Sequence, residues 1–242
     1  MLVKTEAIVI HALKYGESRM IVSLFTRSVG LVSCIVSIPK TNKGKVKKQL
    51  FQPLCLIDVE CDVRPNVHLQ KIRDARMLSP YSTIPLAPQK LAIVLFLAEF
   101  LYYALRGEQQ TDEQLFDYMK HGLLWLDAAA DGYANFHLTF LMHLSRFLGF
   151  YPNMEHYLPG DFFDLQAGTF CSEPPLHKDF LRQDDASRMR ILMRMDYQTM
   201  HLFRINRTDR NRCLSIILTY YRLHLSGFPE LKSLAVLQEL FV

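Results

Sequence analysis

The chain has 242 residues, of which 50% are hydrophobic and 12% aromatic, and this composition excludes an intrinsically disordered protein. The formal net charge is only +4, but residues 1–80 carry +7, residues 81–181 carry −7 and residues 182–222 carry +5. We therefore expect two separate basic surfaces that face anionic partners.

The first 80 residues alternate between apolar and polar side chains with a period of two, which is typical of strands that bury one face. In CLIDVECDV (55–63) the apolar face is Cys55, Ile57, Val59, Cys61 and Val63, and the opposite face is Asp58, Glu60 and Asp62. Five strands are predicted, at residues 5–13, 20–25, 31–38, 55–63 and 66–72. Five short strands without intervening helices favour a small barrel, with an OB-type barrel as the leading candidate.

After the segment SPYSTIPLAPQ (79–89) the apolar period becomes that of helices. Helices are predicted at about 89–106, 111–128 with Thr111 and Gln114 as a capping box, 136–148, 188–195 capped near Asp184 or Asp185, 207–226 and 231–240. The predicted chain is of the α+β multidomain class. A five-stranded OB-type β-barrel occupies residues 1–80, and an all-α helical domain occupies residues 81–242, with an irregular central insert at about 150–180.

Three features of the sequence concern the location of the protein. The opening MLVKTEAIVI lacks the charged start and long apolar stretch of a secretory signal. The most apolar segment, at residues 91–105, contains Glu99 and is shorter than the roughly 20 residues that span a bilayer, so it predicts a buried helix. The five cysteines are odd in number and scattered, which favours free thiols in a reducing cytoplasm.

The segment PKTNKGKVKKQLFQP (39–53) contains five lysines and no acidic residue. It is either a solvated loop or an arm that holds a polyanion. The acidic face of strand 55–63 would repel phosphate, so the other basic groups are expected to line a groove between this segment and the last strand. The predicted DNA-binding residues are Arg19, Arg27, Lys40, Lys43, Lys45, Lys47, Lys48, Arg64, Lys71, Arg73 and Arg76.

Few aromatic side chains of the predicted barrel are candidates for stacking on bases. They are Tyr15, Phe25, Phe51 and, at the edge of the barrel, Tyr81. Phe25 and Phe51 lie in apolar contexts and are predicted to be core residues. Nucleic-acid binding is therefore expected to be mostly electrostatic and weakly dependent on sequence.

The second basic region consists of arginines, with FRINRTDRNR (203–212) as its densest part. The arginines could form salt bridges with the acidic middle of the chain, bind an acidic peptide that ends in apolar residues, or extend the path of the nucleic acid. The predicted partner-binding residues are Arg204, Arg207, Arg210 and Arg212.

The sequence offers no catalytic or metal-binding motif. HExxH, GxSxG, P-loop and Rossmann patterns are absent, and His156, Cys171 and His177 lack the spacing of a zinc site. No catalytic residue, metal ligand or cofactor is predicted. The alternative of a metal-dependent nuclease would need clustered carboxylates, and a membrane-surface protein would need a better apolar anchor beside the lysines than Leu50 and Phe51.

Several short motifs, in order, resemble the RecO family of bacterial recombination mediators. They are TEAIVI (5–10), YGES (15–18), LFTR (24–27) followed by Gly30, LFQPL (50–54), FLMHLSRFLGFYPN (140–153) and YYRLHLSGFPELKSLAVLQELF (220–241). The similarity extends over most of the chain, and the order and spacing of the motifs are more specific than any one of them.

The resemblance implies an OB-fold that binds single- and double-stranded DNA and anneals complementary strands, without a cofactor. It also implies two protein partners, RecR and the single-stranded-DNA-binding protein, and the acidic tail of the latter would bind the arginines. A further implication is that the protein helps to load the recombinase RecA. Many members of the family carry a four-cysteine zinc site in the central region. Here only Cys171 lies between residues 150 and 180, so the resemblance fails at this site.

Overall fold

The computed structural model describes residues 1–38, 46–106, 111–155 and 157–240. The chain forms two compact units, Met1–Ala128 and Ala129–Val242. The last barrel strand ends at Ser79, and the two helices after it lie in the same compact unit as the barrel. The assignment of residues 81–242 to one helical domain therefore stays a prediction.

Five strands form a closed barrel in the order β1-β2-β3-β5-β4. Their bounds are β1 Leu2–Tyr15, β2 Arg19–Thr26, β3 Gly30–Ser37, β4 Leu56–Asp62 and β5 Gln70–Ser79. All neighbours are antiparallel except β3 and β5, which are parallel. The predicted OB-type barrel is confirmed. Strand β5 begins four residues later than predicted, because Asn66, with φ of 64°, belongs to a turn.

The period-two pattern places apolar side chains inside the barrel. Ile57, Val59 and Cys61 of β4 are buried, whereas the three acidic residues between and after them are partly exposed. Phe51 is buried inside the barrel, and Phe25 is buried at 6.3 Å from Phe116 of the following helical segment. Both phenylalanines are therefore core residues, as predicted.

Helices α1, Pro88–Ala104, and α2, Glu113–Ala128, complete the first unit. Most side chains of α1 are buried, which confirms the prediction of a buried apolar helix. Across the described ranges, no helix has the length and hydropathy needed to cross a membrane. The predicted capping box is wrong, because the Asp112 carboxylate, not Thr111, accepts a hydrogen bond from the Leu115 N–H at 2.8 Å.

The buried carboxylate of Asp127, at the end of α2, holds the segment that links the barrel to α1. It accepts hydrogen bonds from the backbone N–H groups of Ser82, Thr83 and Ile84 at 2.8, 2.8 and 2.9 Å. Buried Lys90 donates to the Asp127 carbonyl oxygen at 3.1 Å and to the Thr83 hydroxyl at 2.7 Å. Burial alone would raise the pKa of Asp127, but the hydrogen bonds outweigh it and hold the pKa at about 2.

The described residues of the second unit form four α-helices and a three-stranded sheet. Their bounds are α3 Phe136–Phe147, β6 Phe162–Asp164, β7 Thr169–Cys171, β8 Phe180–Leu181, α4 Gln183–Arg194, α5 Arg207–His224 and α6 Leu234–Leu240. The sequence pattern predicted no sheet in the central insert, because three strands of two or three residues are too short to show alternation. The predicted cap of α4 is wrong, because Asp184 and Asp185 lie in the first turn of the helix and not at the N-cap. Their negative charges there interact favourably with the positive end of the helix dipole.

Replacing Asp127 by Asn should lower the free energy of unfolding by about 1–3 kcal/mol at pH 7, because buried N–H groups lose a charged acceptor. The pKa of Asp127 is depressed on folding from 3.8 to about 2, so its contribution is present above pH 3.8 and is lost as the pH falls towards 2. Urea unfolding of both proteins at pH 7 and pH 3 should show the difference narrowing at the lower pH. Exposed Asp131→Asn is the matched control, and an equal loss in both variants would contradict the prediction.

Candidate nucleic-acid interface

A basic groove lies at the tip of the β1–β2 hairpin. It has a volume of about 270 Å³, and we call it the hairpin groove; its lining residues are Lys14, Glu17, Ser18, Arg19, Met20, Ile38 and Lys48. The Ile38 N–H donates to the Ser18 carbonyl oxygen at 2.7 Å, so β3 ends against this hairpin. The lysine segment begins just after that contact, and Lys47 and Lys48 are exposed at its other end. Lys40, Lys43 and Lys45 lie outside the described residues.

Arg19 of the hairpin groove and one further cation, Lys71, flank the same end of β3. Arg19 is opposite Ser37 on one side, and Lys71 is opposite Ile35 on the other. Both are exposed. In OB-folds the β2–β3 face and the loops between β1 and β2 and between β4 and β5 are the usual sites for oligonucleotides. The barrel thus brings three of the predicted residues, Arg19, Lys48 and Lys71, to the same end of β3.

The β4–β5 loop carries exposed Arg64 and is held by the side chain of Gln70. The Gln70 amide oxygen accepts the Arg64 N–H at 2.9 Å, and the amide nitrogen donates to the Arg64 and Val67 carbonyl oxygens at 3.1 and 2.6 Å. Because these bonds fix the loop backbone, Arg64 projects from a defined position beside the start of β5. Neither Gln70 nor Lys14 was predicted as a site residue, because neither stands out in the sequence from period or spacing alone.

Arg27 does not belong to this face. Its guanidinium forms ion pairs with Glu6 at 3.4 Å, with Glu113 at 3.6 Å and with Asp117, and it lies 5.3 Å from the ring centre of Phe116. These contacts tie the barrel to α2 within the first unit. Its prediction as a DNA-binding residue is therefore not supported by its position.

Arg73 and Arg76 also have acidic partners, on the outward face of β4. The Arg73 Nε donates to Asp62 at 2.6 Å, and this hydrogen bond lowers the pKa of Asp62. The Arg76 Nε lies 4.0 Å from an Asp58 oxygen, and the Lys4 Nζ lies 2.6 Å from a Glu60 oxygen. A shallow cavity on this face is lined by four carboxylates and only two cations, which agrees with the expectation that phosphate avoids it.

The arginines of the second unit bind mostly to groups of that unit. Arg188 donates to Asp209 at 2.8 Å, and the Arg212 Nε donates to Asp185 at 3.1 Å. Arg210 donates to the Asn135 side chain at 3.1 Å and Arg207 to the Gln238 carbonyl oxygen at 3.0 Å. Asp185 and Asp209 both belong to the basic region 182–222. One interpretation of the sequence expected the arginines to neutralise the acidic middle of the chain, and these salt bridges do not do so.

A second groove, of about 360 Å³, lies between α4 and the start of α5 and is called the arginine groove. Its lining residues are Asp184, Ser187, Arg188, Ile191, Arg204, Ile205, Asp209 and Cys213. Arg204 is exposed at its edge, and Ile191 and Ile205 give it an apolar part. Of the four predicted partner-binding arginines, Arg204 is the one that lines this groove.

The central region is held by packed aromatic rings. Phe163 is fully buried, with its ring centre 4.8 Å from that of Phe170 and 6.1 Å from that of Tyr220. The turn at Gly168, with φ of 67°, leaves no room for a side chain, because a Cβ there would lie 2.6 Å from the Tyr220 hydroxyl. Among the described residues no group of three or more His, Cys, Asp or Glu side chains could hold a metal ion.

The closed five-stranded barrel and the helices that follow it define a protein of the OB-fold class. The family model for the N terminal of recombination protein O matches residues 1–81, and the model for its C terminal matches residues 86–235. The chain is similar over the full length of both proteins to DNA repair protein RecO of Bacteroides fragilis (53% identity) and of Phocaeicola vulgatus (51%). The relative from Porphyromonas gingivalis is 32% identical, again over full length. The chain belongs to the RecO family of DNA repair proteins.

Replacing Phe163 by Ala should destabilise the second unit by about 3–5 kcal/mol, because it leaves a cavity among the aromatic rings. Phe163→Leu keeps most of the side-chain volume, so this variant should lose clearly less stability than Phe163→Ala. Thermal unfolding followed by circular dichroism measures both variants, and the wild type is measured with and without a metal chelator. We expect the chelator to leave the unfolding temperature unchanged, and a large decrease would show that a metal stabilises the region.

Proposed function

We propose that this RecO-family protein binds single- and double-stranded DNA on the cationic face of the barrel, promotes annealing of complementary strands and helps to load the recombinase. The recombinase would be loaded onto DNA coated by single-strand binding protein, in the cytoplasm, with RecR as a further partner. The observation that carries the proposal is the convergence of Lys14, Arg19 and Lys48 in the hairpin groove.

Electrostatics explains how such a face could anneal strands. Two DNA strands repel each other, and cations that neutralise their phosphates lower the cost of bringing them together. The exposed or partly exposed residues of β2 and β3 include Ser23, Ser33 and Ser37 but no aromatic side chain, and Tyr15 is exposed at the hairpin tip. Contacts to phosphates rather than to bases therefore dominate, and the binding tolerates many sequences.

The mechanism is proposed to involve binding only and no covalent catalysis. The alternative, a metal-dependent nuclease, requires carboxylates that converge on an ion. In the part of the chain that the structure describes, several acidic side chains instead form ion pairs with Lys4, Arg27, Arg73 and Arg188, and Asp127 accepts backbone hydrogen bonds. Their arrangement thus has an explanation in folding.

The arginine groove is proposed to bind the acidic tail of the single-strand binding protein. Arg204 offers an exposed guanidinium, and Ile191 and Ile205 offer apolar surface for an apolar end of a peptide. Arg188 already pairs with Asp185 and Asp209 at 3.3 and 2.8 Å, so a tail carboxylate would compete with these aspartates. Moderate affinity is therefore expected.

Replacing Lys14, Arg19, Lys47 and Lys48 together by Ala should weaken binding of single-stranded DNA and flatten its salt dependence. Each lost phosphate contact should reduce the slope of log K against log salt by about 0.7. Fluorescence anisotropy over a salt series measures the slope. Arg73→Ala/Arg76→Ala, on the acidic face, is the control and should bind nearly as the wild type. Equal binding by all three proteins would move the site to the arginines, and no binding by the wild type would refute DNA binding.

Arg204→Glu should reduce the affinity for an acidic tail peptide roughly tenfold, since an attractive charge becomes a repulsive one of about the same size. Isothermal titration calorimetry with the peptide measures this change. Arg222→Glu, exposed on α5 and not part of the groove, is the matched control and should have little effect. An unchanged affinity of Arg204→Glu would exclude the arginine groove as the tail site.

A further inference from the structure

A mostly apolar pocket of about 330 Å³ lies in the first unit, between the barrel and α1. Its walls include Met77 of β5, Tyr81 of the linking segment and Leu91 and Leu95 of α1. The exposed fractions of Met77, Leu91 and Leu95 are 37%, 40% and 42%, so solvent reaches the pocket. Its polar side chains include the amides of Gln49 and Gln52. A concave apolar site with a few polar groups is the usual form of a ligand pocket.

Hydrogen bonds hold one wall of the pocket, Tyr81 and the residues after it, in place. The Tyr81 hydroxyl donates to the Leu54 carbonyl oxygen at 2.7 Å, which fixes the ring in the pocket wall. The next three residues are held by the Asp127 carboxylate. Prolines 80 and 85 on either side restrict the same segment further. A ligand would therefore meet a wall that needs little ordering, which favours affinity.

The pocket adjoins the hairpin groove through one short element, the 3-10 helix Lys48–Phe51. Lys48 lines the hairpin groove, and the next residue, Gln49, lines the apolar pocket. A cation that suits a phosphate and an amide that suits the edge of a base are thus consecutive in the chain.

We propose that this pocket receives an unpaired base of single-stranded DNA whose phosphate is held by Lys48. The inference deepens the proposed DNA binding and rests on it. Amide side chains donate to and accept from the edges of bases, and the Tyr81 ring offers a surface for stacking. A base inside a duplex is stacked and paired and cannot enter without being extruded. The pocket therefore gives the barrel a preference for single strands that the cations alone cannot give.

The competing occupant is an apolar side chain of an acidic peptide. Three observations favour the base: the two amides in the lining, the wall formed by a tyrosine, and continuity with the groove proposed to hold phosphates. A peptide would leave the amides in contact with apolar groups, at a cost in affinity.

Filling the pocket tests the proposal. Leu95→Trp places a large ring at the rim, Leu91→Trp is a second variant if the first does not fold, and Leu223→Trp, a leucine of α5 with 40% exposure, is the matched control. The probe is a single strand with 2-aminopurine between adenines, whose emission increases when the base leaves the stack. The same oligonucleotide is also measured as a duplex.

The wild type and Leu223→Trp should increase the emission and prefer the single strand. The pocket variants should lose the increase and bind the single strand roughly fivefold to a hundredfold more weakly, the range that one stacked base contributes, while duplex affinity stays within about twofold. If the pocket variants match the wild type in both readouts while binding remains salt-dependent, the base pocket is refuted and DNA binding stands. If the wild type binds no DNA, the proposed function itself fails.

If the pocket variants bind both forms of DNA as the wild type does but lose affinity for an acidic peptide with an apolar end, the pocket is a protein-binding site. That outcome also overturns the proposal.

Discussion

The organisation of the first unit depends on one buried carboxylate. Asp127 lies at the end of α2, and it accepts hydrogen bonds from three backbone N–H groups of residues 82–84, just after the barrel. The Asp127 carboxylate thus joins the end of α2 to the start of the linking segment. If this carboxylate were removed, the three N–H donors would lose their acceptor. Lys90 adds a positive charge from α1 at the same place. The position of the apolar pocket, and of the barrel end against α1, follows from this junction.

The two basic regions differ in how much of their charge is available to a partner. On the barrel, Arg19, Lys47 and Lys48 are exposed, and the described residues offer Arg19 no ion-pair partner. In the second unit Arg188 and Arg212 pair with nearby aspartates. A net charge counted along the sequence treats these regions as equivalent, but the free energy available to an anion is larger where no internal pair must first be broken.

Much of the fold could be predicted, because periodicity is a local property. The alternation in β4 and the apolar run of α1 each predict an element and its buried face from neighbouring residues alone. The Asp127 junction was missed because it joins residues 43–45 positions apart, and no pattern marks one aspartate among others. The acidic partners of Arg27 and Arg73 were missed for the same reason, and the predicted DNA-binding set therefore includes arginines that already have ion-pair partners. The short strands of the central insert carry too few residues for a period to appear.

The seam that closes the barrel is short. Strands β3 and β5 pair only through Cys34 with Gln70 and Ile35 with Lys71, and this is the one parallel contact in the barrel. A short seam between distant parts of the chain closes late in folding and opens early, because its loop-closure entropy is set against few bonds. Arg19 and Lys71 lie on opposite sides of it. A polyanion that contacts both Arg19 and Lys71 would bind only when β3 and β5 are paired. Its binding free energy would therefore add to the stability of the closed barrel.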